Sequence, residues 1–278
     1  AGPGPRRGKD RFIMNKKKLA ILGCGYLGGI VAEAYTRGLL ADYELVGAVS
    51  RTPDSARKLA DKAGCAFCPD MEALLALHPD IVVETAGIPA VRAYAAAILE
   101  SGADLAVISI GAFADAEFQA RIKETAARCG RKVYLASGAV GGFDVLSTIT
   151  LMARAEGKEP AVSFHTHKSP GSLRGTPVYR PEMEGAEMQA FGGTATQAIE
   201  LLPTRVNVAV AASLASAGPD NTRMQITSVP GFVGDDHCIT VEGAGAKAVV
   251  DIYSDKSAIA GWSLVALLRN LASPLELH

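Results

Sequence analysis

The sequence predicts an α/β fold, in which a doubly wound parallel sheet is followed by a second α+β domain with a mixed or antiparallel sheet. The first observation is that short apolar runs alternate with segments of helical periodicity from Lys18 to about residue 140. Such alternation is typical of parallel strands joined by helices that cover both faces of a sheet. The second observation is that the alternation stops after Gly142, where helices are followed by several β-type runs.

The first half contains five β-type runs, each bounded by glycine or polar residues. They are "KLAIL", "YELVGAVS", "DIVVETAG", "DLAVISIGAF" and "KVYLASGAVGG". Helical periodicity lies between them, and glycines end two of the helices, at Gly38 and Gly64. The helices are predicted in "IVAEAYTRGLL", "TPDSARKLADKAG", "PDMEALLAL", "PAVRAYAAAILESG" and "DAEFQARIKETAARCG". We expect the strands to form one parallel sheet.

The second half begins with a helix in "FDVLSTITLMARAEG" and a strand in "EPAVSFHTHKSP". The stretch "TPVYRPEMEGAEMQAFGG" has two prolines and is predicted to be irregular. Two alanine-rich helices, "TATQAIELLP" and "RVNVAVAASLASAG", precede three runs that predict antiparallel strands, "TRMQITSVP", "HCITVEG" and "AKAVVDIYS". The last helix, "SAIAGWSLVALLRNLA", is apolar, and we expect it to pack back against the first domain.

The composition favours a small molecule as the partner. The chain has 278 residues and a formal net charge of -1, which gives no electrostatic attraction to nucleic acid or to a membrane surface. A membrane span would need about 18 consecutive apolar residues, and we expect none. The five cysteines favour reduced thiols in the cytoplasm. Cys65 and Cys68 form a CxxC without a second ligand pair, so we expect packing residues and no metal site, with a redox or metal role as the alternative.

A glycine turn, "ILGCGYLGG" at residues 21–29, lies between the first predicted strand and helix. Its glycines at 23, 25 and 28 match GxGxxG, in which they turn the chain, admit a pyrophosphate and allow close packing of strand and helix. Alone, the pattern also predicts a simple tight turn. Its place in the βαβ series favours a Rossmann dinucleotide site. Predicted cofactor residues are Gly23, Gly25, Tyr26, Leu27 and Gly28 in the turn, and Thr85, Ala86 and Gly111 after later strands.

The end of the second strand indicates which dinucleotide binds. An acidic residue at this position accepts hydrogen bonds from an NAD ribose, but this chain has Ser50 followed by Arg51. A hydroxyl beside a guanidinium suits a 2′-phosphate, so NADP or NAD is expected as cofactor, with NADP slightly favoured. The alternative is that Arg51 is a solvated surface charge.

These features predict four segments of the chain. Residues 1–13 precede Met14 and a basic run, and look like a tag or processing remnant. Residues 14–140 are predicted to be the dinucleotide-binding domain, and residues 141–255 the substrate, catalytic and oligomerisation domain. Residues 256–278 hold the helix that returns to the first domain.

Three polar residues of the second half are candidates for chemistry. His237 opens a predicted strand and has a reference pKa suited to proton transfer. Lys168 suits a substrate carboxylate, and Asn207 needs a partner inside an apolar helix. Position alone also allows a structural histidine, a solvated lysine and an asparagine bonded to backbone.

Four segments resemble the L-aspartate dehydrogenase family: "ILGCGYLGG", "ASGAVGGFDVL", "FGGTATQAIELLPTRVNVAVAASLA" and "DDHCITVEG". The resemblance implies a catalytic role for His237 and Asn207. It implies substrate binding by Lys168, Ser169, Ser137 and Gly138. The chain differs from the family pattern at Ser50, and before the last helix, where only Ser257 is left of a longer polar segment.

The reaction that the resemblance implies is reversible. L-Aspartate, NAD(P)+ and water give oxaloacetate, ammonia and NAD(P)H through iminosuccinate, with His237 as general acid and base. One alternative is a related dehydrogenase or reductase for another small amino or keto acid. Another is a non-catalytic NADP-binding sensor. A homodimer formed through the second-domain sheet is also expected.

Overall fold

The computed structural model describes residues 16–203 and 207–277. The predicted remnant at residues 1–13 therefore lies outside the described residues, as do Arg205 and Val206 of the second alanine-rich helix. The first sheet is wholly parallel, with the strand order β3-β2-β1-β4-β5-β6. Its strands are β1 (Lys17–Leu22), β2 (Tyr43–Val49), β3 (Ala66–Phe67), β4 (Ile81–Glu84), β5 (Asp104–Val107) and β6 (Val133–Leu135). This confirms the predicted doubly wound sheet.

Helices connect these strands, and local sequence sets where several of them begin and end. The helices are α1 (Tyr26–Thr36), α2 (Pro53–Ala63), α3 (Met71–Leu75), α4 (Ile88–Glu100) and α5 (Ala116–Cys129). The side chains of Asp70 and Asp115 accept hydrogen bonds from backbone N–H groups in the first turns of α3 and α5. Gly64 ends α2 in a left-handed conformation, as the sequence predicts.

The second sheet is mixed, with the strand order β11-β10-β7-β9-β8. Its strands are β7 (Ala161–Lys168), β8 (Met188–Thr194), β9 (Thr222–Ser228), β10 (Asp235–Gly243) and β11 (Ala246–Ser254). The helices of this half are α6 (Phe143–Ala155), α7 (Pro170–Leu173), α8 (Ala195–Leu201) and α9 (Asn207–Leu214). Only the β7–β9 pair is parallel within this sheet.

Three details of the predicted elements are wrong. The segment predicted to be irregular contains strand β8, whose register shifts between Gln189 and Phe191 and so interrupts the two-residue alternation. Strand β5 ends at Val107, and the apolar run continues as a 3₁₀ turn, Ile110–Ala114, because buried apolar runs look alike in either conformation. Strand β9, predicted to be antiparallel to its neighbours, is antiparallel to β8 but parallel to β7. The two-residue strand β3 was not predicted, because so short a strand shows no pattern.

The last helix, α10 (Ala258–Ala272), packs on α1 of the first domain. Leu264 and Leu268 are fully buried in the same apolar cluster as β1 and α1 residues. The Tyr43 hydroxyl of β2 donates a hydrogen bond of 2.8 Å to the backbone carbonyl of Leu268. Among residues 16–203 and 207–277, none of the helices has the length and apolar composition that a membrane span needs.

Candidate active site

A cleft of about 440 Å³ lies where the carboxyl edge of the first sheet meets the second sheet and the start of α10. Parallel sheets of this type bind ligands at that edge. Eight of the residues singled out in the sequence line the cleft: Leu27, Thr85, Ala86, Ser137, Gly138, Lys168, Asn207 and His237. Residues that the sequence analysis did not single out also line it, among them Ser109, Asp235 and Lys256. The cleft therefore joins both halves of the predicted site.

The glycine turn has the geometry of a phosphate cradle. Gly23 has a φ of +103°, and a Cβ there would lie 2.6 Å from the Ala86 backbone nitrogen. At Gly28 a Cβ would lie 2.1 Å from the Gly23 carbonyl oxygen. At Gly25, by contrast, a Cβ would meet nothing within 4 Å, so this backbone faces open space at the start of α1. The first and third glycines are needed for packing, and the second leaves room for a phosphate at a helix N-terminus.

The end of β2 lies beside this turn. The Gly23 N–H donates a hydrogen bond of 2.8 Å to the Val49 carbonyl, so the residues that follow, Ser50 and Arg51, begin next to the cradle. Arg51 is exposed and Ser50 is half-buried. Neither residue lines the cleft itself.

Asn207 joins the two halves of the molecule. Its side-chain Oδ1 accepts a hydrogen bond of 2.8 Å from the Gly111 backbone N–H. Gly111 is buried, and a Cβ at this position would lie 2.8 Å from the same oxygen. The polar residue at the start of α9 thus has the partner that its apolar surroundings demand, and it still lines the cleft.

His237 is buried beneath the cleft. It is 2% exposed, stacks on the Phe164 ring with the centroids 5.6 Å apart, and pairs through Nδ1 with the Thr166 hydroxyl at 2.9 Å. Burial lowers its pKa to about 4, the nearby Lys168 ammonium acts in the same direction, and Asp235 and Asp236 oppose them. The imidazole is therefore neutral at physiological pH, as a general base must be.

Two ammonium groups line the cleft with His237. Lys168, at the end of β7, forms an ion pair with Asp235, at the start of β10. Lys256, just before α10, is exposed at the rim. Two ammonium groups in one cleft suit a substrate that carries carboxylates.

Eight predicted residues lie outside the cleft lining: Gly23, Gly25, Gly28 and Gly111, whose positions are given above, and Tyr26, Ser50, Arg51 and Ser169. Tyr26 is 62% exposed at the start of α1. Ser169 caps the short helix α7, its Oγ accepting from the Ser172 N–H, and therefore serves the backbone in this structure. Ser50 and Arg51 lie beyond the glycine turn.

The sequence analysis missed several polar residues of the site, among them Thr166, Asp235 and Lys256. Thr166 and Asp235 lie in quoted polar segments, and the cross-strand register pairs Thr166 directly with His237. A search for the partner of a buried histidine would have found Thr166, given that register. Lys256 precedes Ser257 in the shortened segment, and only the position of α10 brings it to the rim.

Comparison with known protein families identifies both halves of the chain as domains of dehydrogenases. The model of the aspartate dehydrogenase C-terminal domain matches residues 149–271, and that of the homoserine dehydrogenase NAD-binding domain matches residues 23–136. The L-aspartate dehydrogenase of Methanospirillum hungatei is 32% identical over 93% of this chain and 98% of its own. The chain belongs to the aspartate dehydrogenase family. The Methanosarcina barkeri L-aspartate dehydrogenase is 31% identical over 94% of this chain and 98% of its own.

A solved structure extends the family relationship to three dimensions. The aspartate dehydrogenase from Thermotoga maritima has a TM-score of 0.75 and 25% identity, and covers 94% of this chain and 99% of its own. The residues of the cradle fit a dinucleotide, because the backbone at Gly25 is open and both flanking glycines are closely packed. Like other members of the family, the protein is an NAD(P)-dependent oxidoreductase that acts on CH-NH2 donors.

The depressed pKa of His237 makes stability depend on pH. The unfolded chain takes up a proton at this residue below about pH 6.5, whereas the folded protein does so only near pH 4. As the pH falls from 6.5 to 4, wild type should therefore lose about 3 kcal/mol of unfolding free energy relative to His237→Gln. Urea denaturation across this range measures the difference. His78→Asn, a substitution of an exposed histidine, is the control, and its unfolding free energy should change with pH as that of wild type does. If the unfolding free energies of wild type and His237→Gln changed with pH in parallel, the expectation would be contradicted.

Proposed function

We propose that the protein oxidises L-aspartate with NAD(P)+ and water to oxaloacetate, ammonia and NAD(P)H, through iminosuccinate, and catalyses the reverse reaction. The observation that carries this proposal is one cleft that joins the edge of the dinucleotide domain to a neutral, buried histidine and two ammonium groups. The relatives of similar length are L-aspartate dehydrogenases, which supports the choice of substrate.

When bound, the nicotinamide cofactor accepts a hydride from the substrate α-carbon. The chain's own residues then act on the resulting imine, which is already electrophilic. We assign the imidazole proton of His237 to Nδ1, donating to Thr166 Oγ1, which leaves Nε2 to take a proton from the water that adds to the imine carbon. The same nitrogen returns that proton to the amino group of the carbinolamine. The C–N bond then breaks as ammonia leaves, and the hydroxyl group gives its proton to the freed Nε2 as the carbonyl of oxaloacetate forms. His237 thus serves first as base and then as acid.

Lys168 and Lys256 are proposed to bind the two substrate carboxylates. Lys168 is partly buried in its pair with Asp235, so a carboxylate that reaches it joins an existing charge network. Ser137 and Gly138 lie on the loop that follows β6, where the Gly138 N–H donates to Ser263 of α10 at 3.0 Å. That bond holds the loop against the cleft, and Ser137 is proposed to offer its hydroxyl group to the substrate. Ser169 follows Lys168 directly, and we propose that it supports substrate binding through the cap of α7. Asn207 fixes the floor of the site through Gly111.

Replacement of the histidine tests the proposed mechanism. His237→Ala should lower kcat for aspartate oxidation by roughly 10²–10⁴-fold, the usual contribution of a general acid or base, with cofactor affinity unchanged. Steady-state absorbance of the reduced cofactor measures turnover, and calorimetry measures cofactor binding. His78→Asn, a surface substitution, should behave as wild type. Turnover of His237→Ala near that of wild type would contradict the role of His237 as general acid and base.

We propose that NADP binds somewhat better than NAD. The support is the position of Ser50 and Arg51 directly after β2, beside the glycine cradle, where an adenosine ribose and its 2′-phosphate would lie. The guanidinium is exposed and accessible to a phosphate.

Removing this guanidinium should affect one cofactor only. Arg51→Gln is expected to weaken NADP binding about tenfold, the loss of one charge-assisted hydrogen bond, and to leave NAD binding within about twofold. Calorimetric titration of both cofactors measures the two affinities. Arg37→Gln, an exposed arginine at the end of α1, is the control. Equal losses for NAD and NADP would contradict the assignment.

We propose that the protein is a homodimer that buries the outer face of the second sheet. The opposite face of β10 and β11 packs on α6. On the outer face Val249 is 56% and Tyr253 58% exposed, and the rings of His167 and Phe232 lie 6.2 Å apart next to them. Val249 and Tyr253 share this face with the exposed Lys247 and Asp251. Large apolar side chains exposed on a sheet face support an interface between copies.

A charge on the outer face should separate the copies. Light scattering during size exclusion should give a dimer for wild type and a monomer for Val249→Glu, because a buried unpaired carboxylate opposes association. Leu277→Glu, which adds the same charge at an exposed terminal residue, should remain a dimer. A monomeric wild type, or a dimeric Val249→Glu, would contradict the proposed interface.

The thiols support a cytoplasmic location, which we also propose. All five cysteines are free. Burial raises the pKa of Cys24 to about 12 and that of Cys65 to about 11, so these thiols stay protonated and act as packing residues. Reduced, inert cysteines are typical of proteins in a reducing compartment.

A further inference from the structure

A carboxylate without an assigned role lies under the wall of the cleft. Glu84 is the last residue of β4 and is 0% exposed. Its Oε1 accepts hydrogen bonds of 2.7 Å from both the Ala86 and Gly87 backbone N–H groups and of 3.0 Å from the Ser109 hydroxyl. Its Oε2 accepts a hydrogen bond of 3.1 Å from the Ser109 N–H. One side chain thus ties together the loops that follow β4 and β5.

Three of the four groups around Glu84 are backbone N–H groups, which can only donate, and this suits an ionised carboxylate. The fourth group, the Ser109 hydroxyl, can donate or accept. No ion pair in residues 16–203 and 207–277 includes Glu84, so its charge is not cancelled by a neighbouring cation. Burial is the larger effect and raises the pKa of Glu84 above its ordinary value, and the four hydrogen bonds, which favour the charged form, oppose that shift.

The two loops lie on the path that a dinucleotide must take. The Thr85 hydroxyl donates to the Gly23 carbonyl at 2.6 Å, so the loop after β4 directly abuts the phosphate cradle. Thr85, Ala86, Gly87 and Ser109 line the cleft that contains His237. A cofactor whose phosphates lie at the glycine turn and whose reactive ring reaches His237 therefore passes over these loops.

The two redox forms of the nicotinamide ring differ in charge. The oxidised ring carries one positive charge and the reduced ring is neutral, so a nearby buried anion stabilises only the oxidised form. We propose that Glu84 is a positioning residue of the cofactor site, which holds the loops at 85–87 and 109 and whose buried charge favours the oxidised over the reduced cofactor. This inference rests on the proposed function, since it requires a bound nicotinamide.

Binding of both redox forms, without amino acid, tests the inference. For wild type and Glu84→Gln, calorimetry gives the Kd of NADP+ and NADPH, and of NAD+ and NADH. Glu84→Gln should shift the ratio of the two Kd values at least about fivefold toward the reduced form, because the amide keeps the shape and loses the charge. Ser109→Ala is the matched control: it removes one hydrogen bond to the carboxylate and keeps the charge, so its ratio should stay within about twofold of wild type.

Each other outcome overturns a specific step. Equal weakening of both redox forms by Glu84→Gln would leave Glu84 a purely structural residue. Failure of wild type to bind any of the four dinucleotides would overturn the proposed function together with this inference. If Glu84→Gln does not fold, the infrared spectrum of wild type at neutral pH decides: the carbonyl band of a protonated acid would overturn the inference, and its absence would support a buried anion.

Discussion

The hydrogen bond between Gly111 and Asn207 is the contact on which the site depends. It links the turn that follows β5, in the first domain, to the first residue of α9, in the second. Ile110, next to Gly111, belongs to the apolar core of the second domain, so the connection is both polar and apolar. Because the link lies at the floor of the cleft, it fixes how far His237 stands from the edge of the parallel sheet. Each domain contributes only part of the site, so the site is complete only while the two domains are held together.

Within that frame, burial determines the chemistry of the charged groups. His237 is kept neutral by desolvation and by Lys168, which suits it to accept a proton. Burial also shifts the pKa of Glu84 toward the neutral form, but four hydrogen bonds to its carboxylate oxygens oppose that shift. Lys168 forms an ion pair with Asp235. The balance between burial and hydrogen bonding therefore differs between His237 and Glu84.

The parts of the fold that short-range physics determines were predictable from the sequence. Glycine at 64 and aspartate at 70 mark helix boundaries because they satisfy local backbone requirements, and the glycine turn has a recognisable spacing. Strand β8 was not predictable, since a bulge breaks its alternation, and the neighbours of β9 depend on pairing between distant segments. In the site, His237 and Lys168 could be named, but Thr166 follows from strand register and Lys256 from the docking of α10. Residues of this kind can be identified only when the relative positions of segments far apart in the sequence are known.

The docking of α10 has a consequence for how the protein is made. The β2 residue Tyr43 and the α10 residue Leu268 are 225 positions apart. Leu264, Val265 and Leu268 of α10 complete a core whose other buried residues all come before position 137. During synthesis the first domain emerges early but lacks this layer until the whole second domain has been translated. Its apolar surface under α10 is therefore exposed for most of the time on the ribosome, when chaperones would have access to it. The first domain can therefore complete its packing only after the second domain has been synthesised.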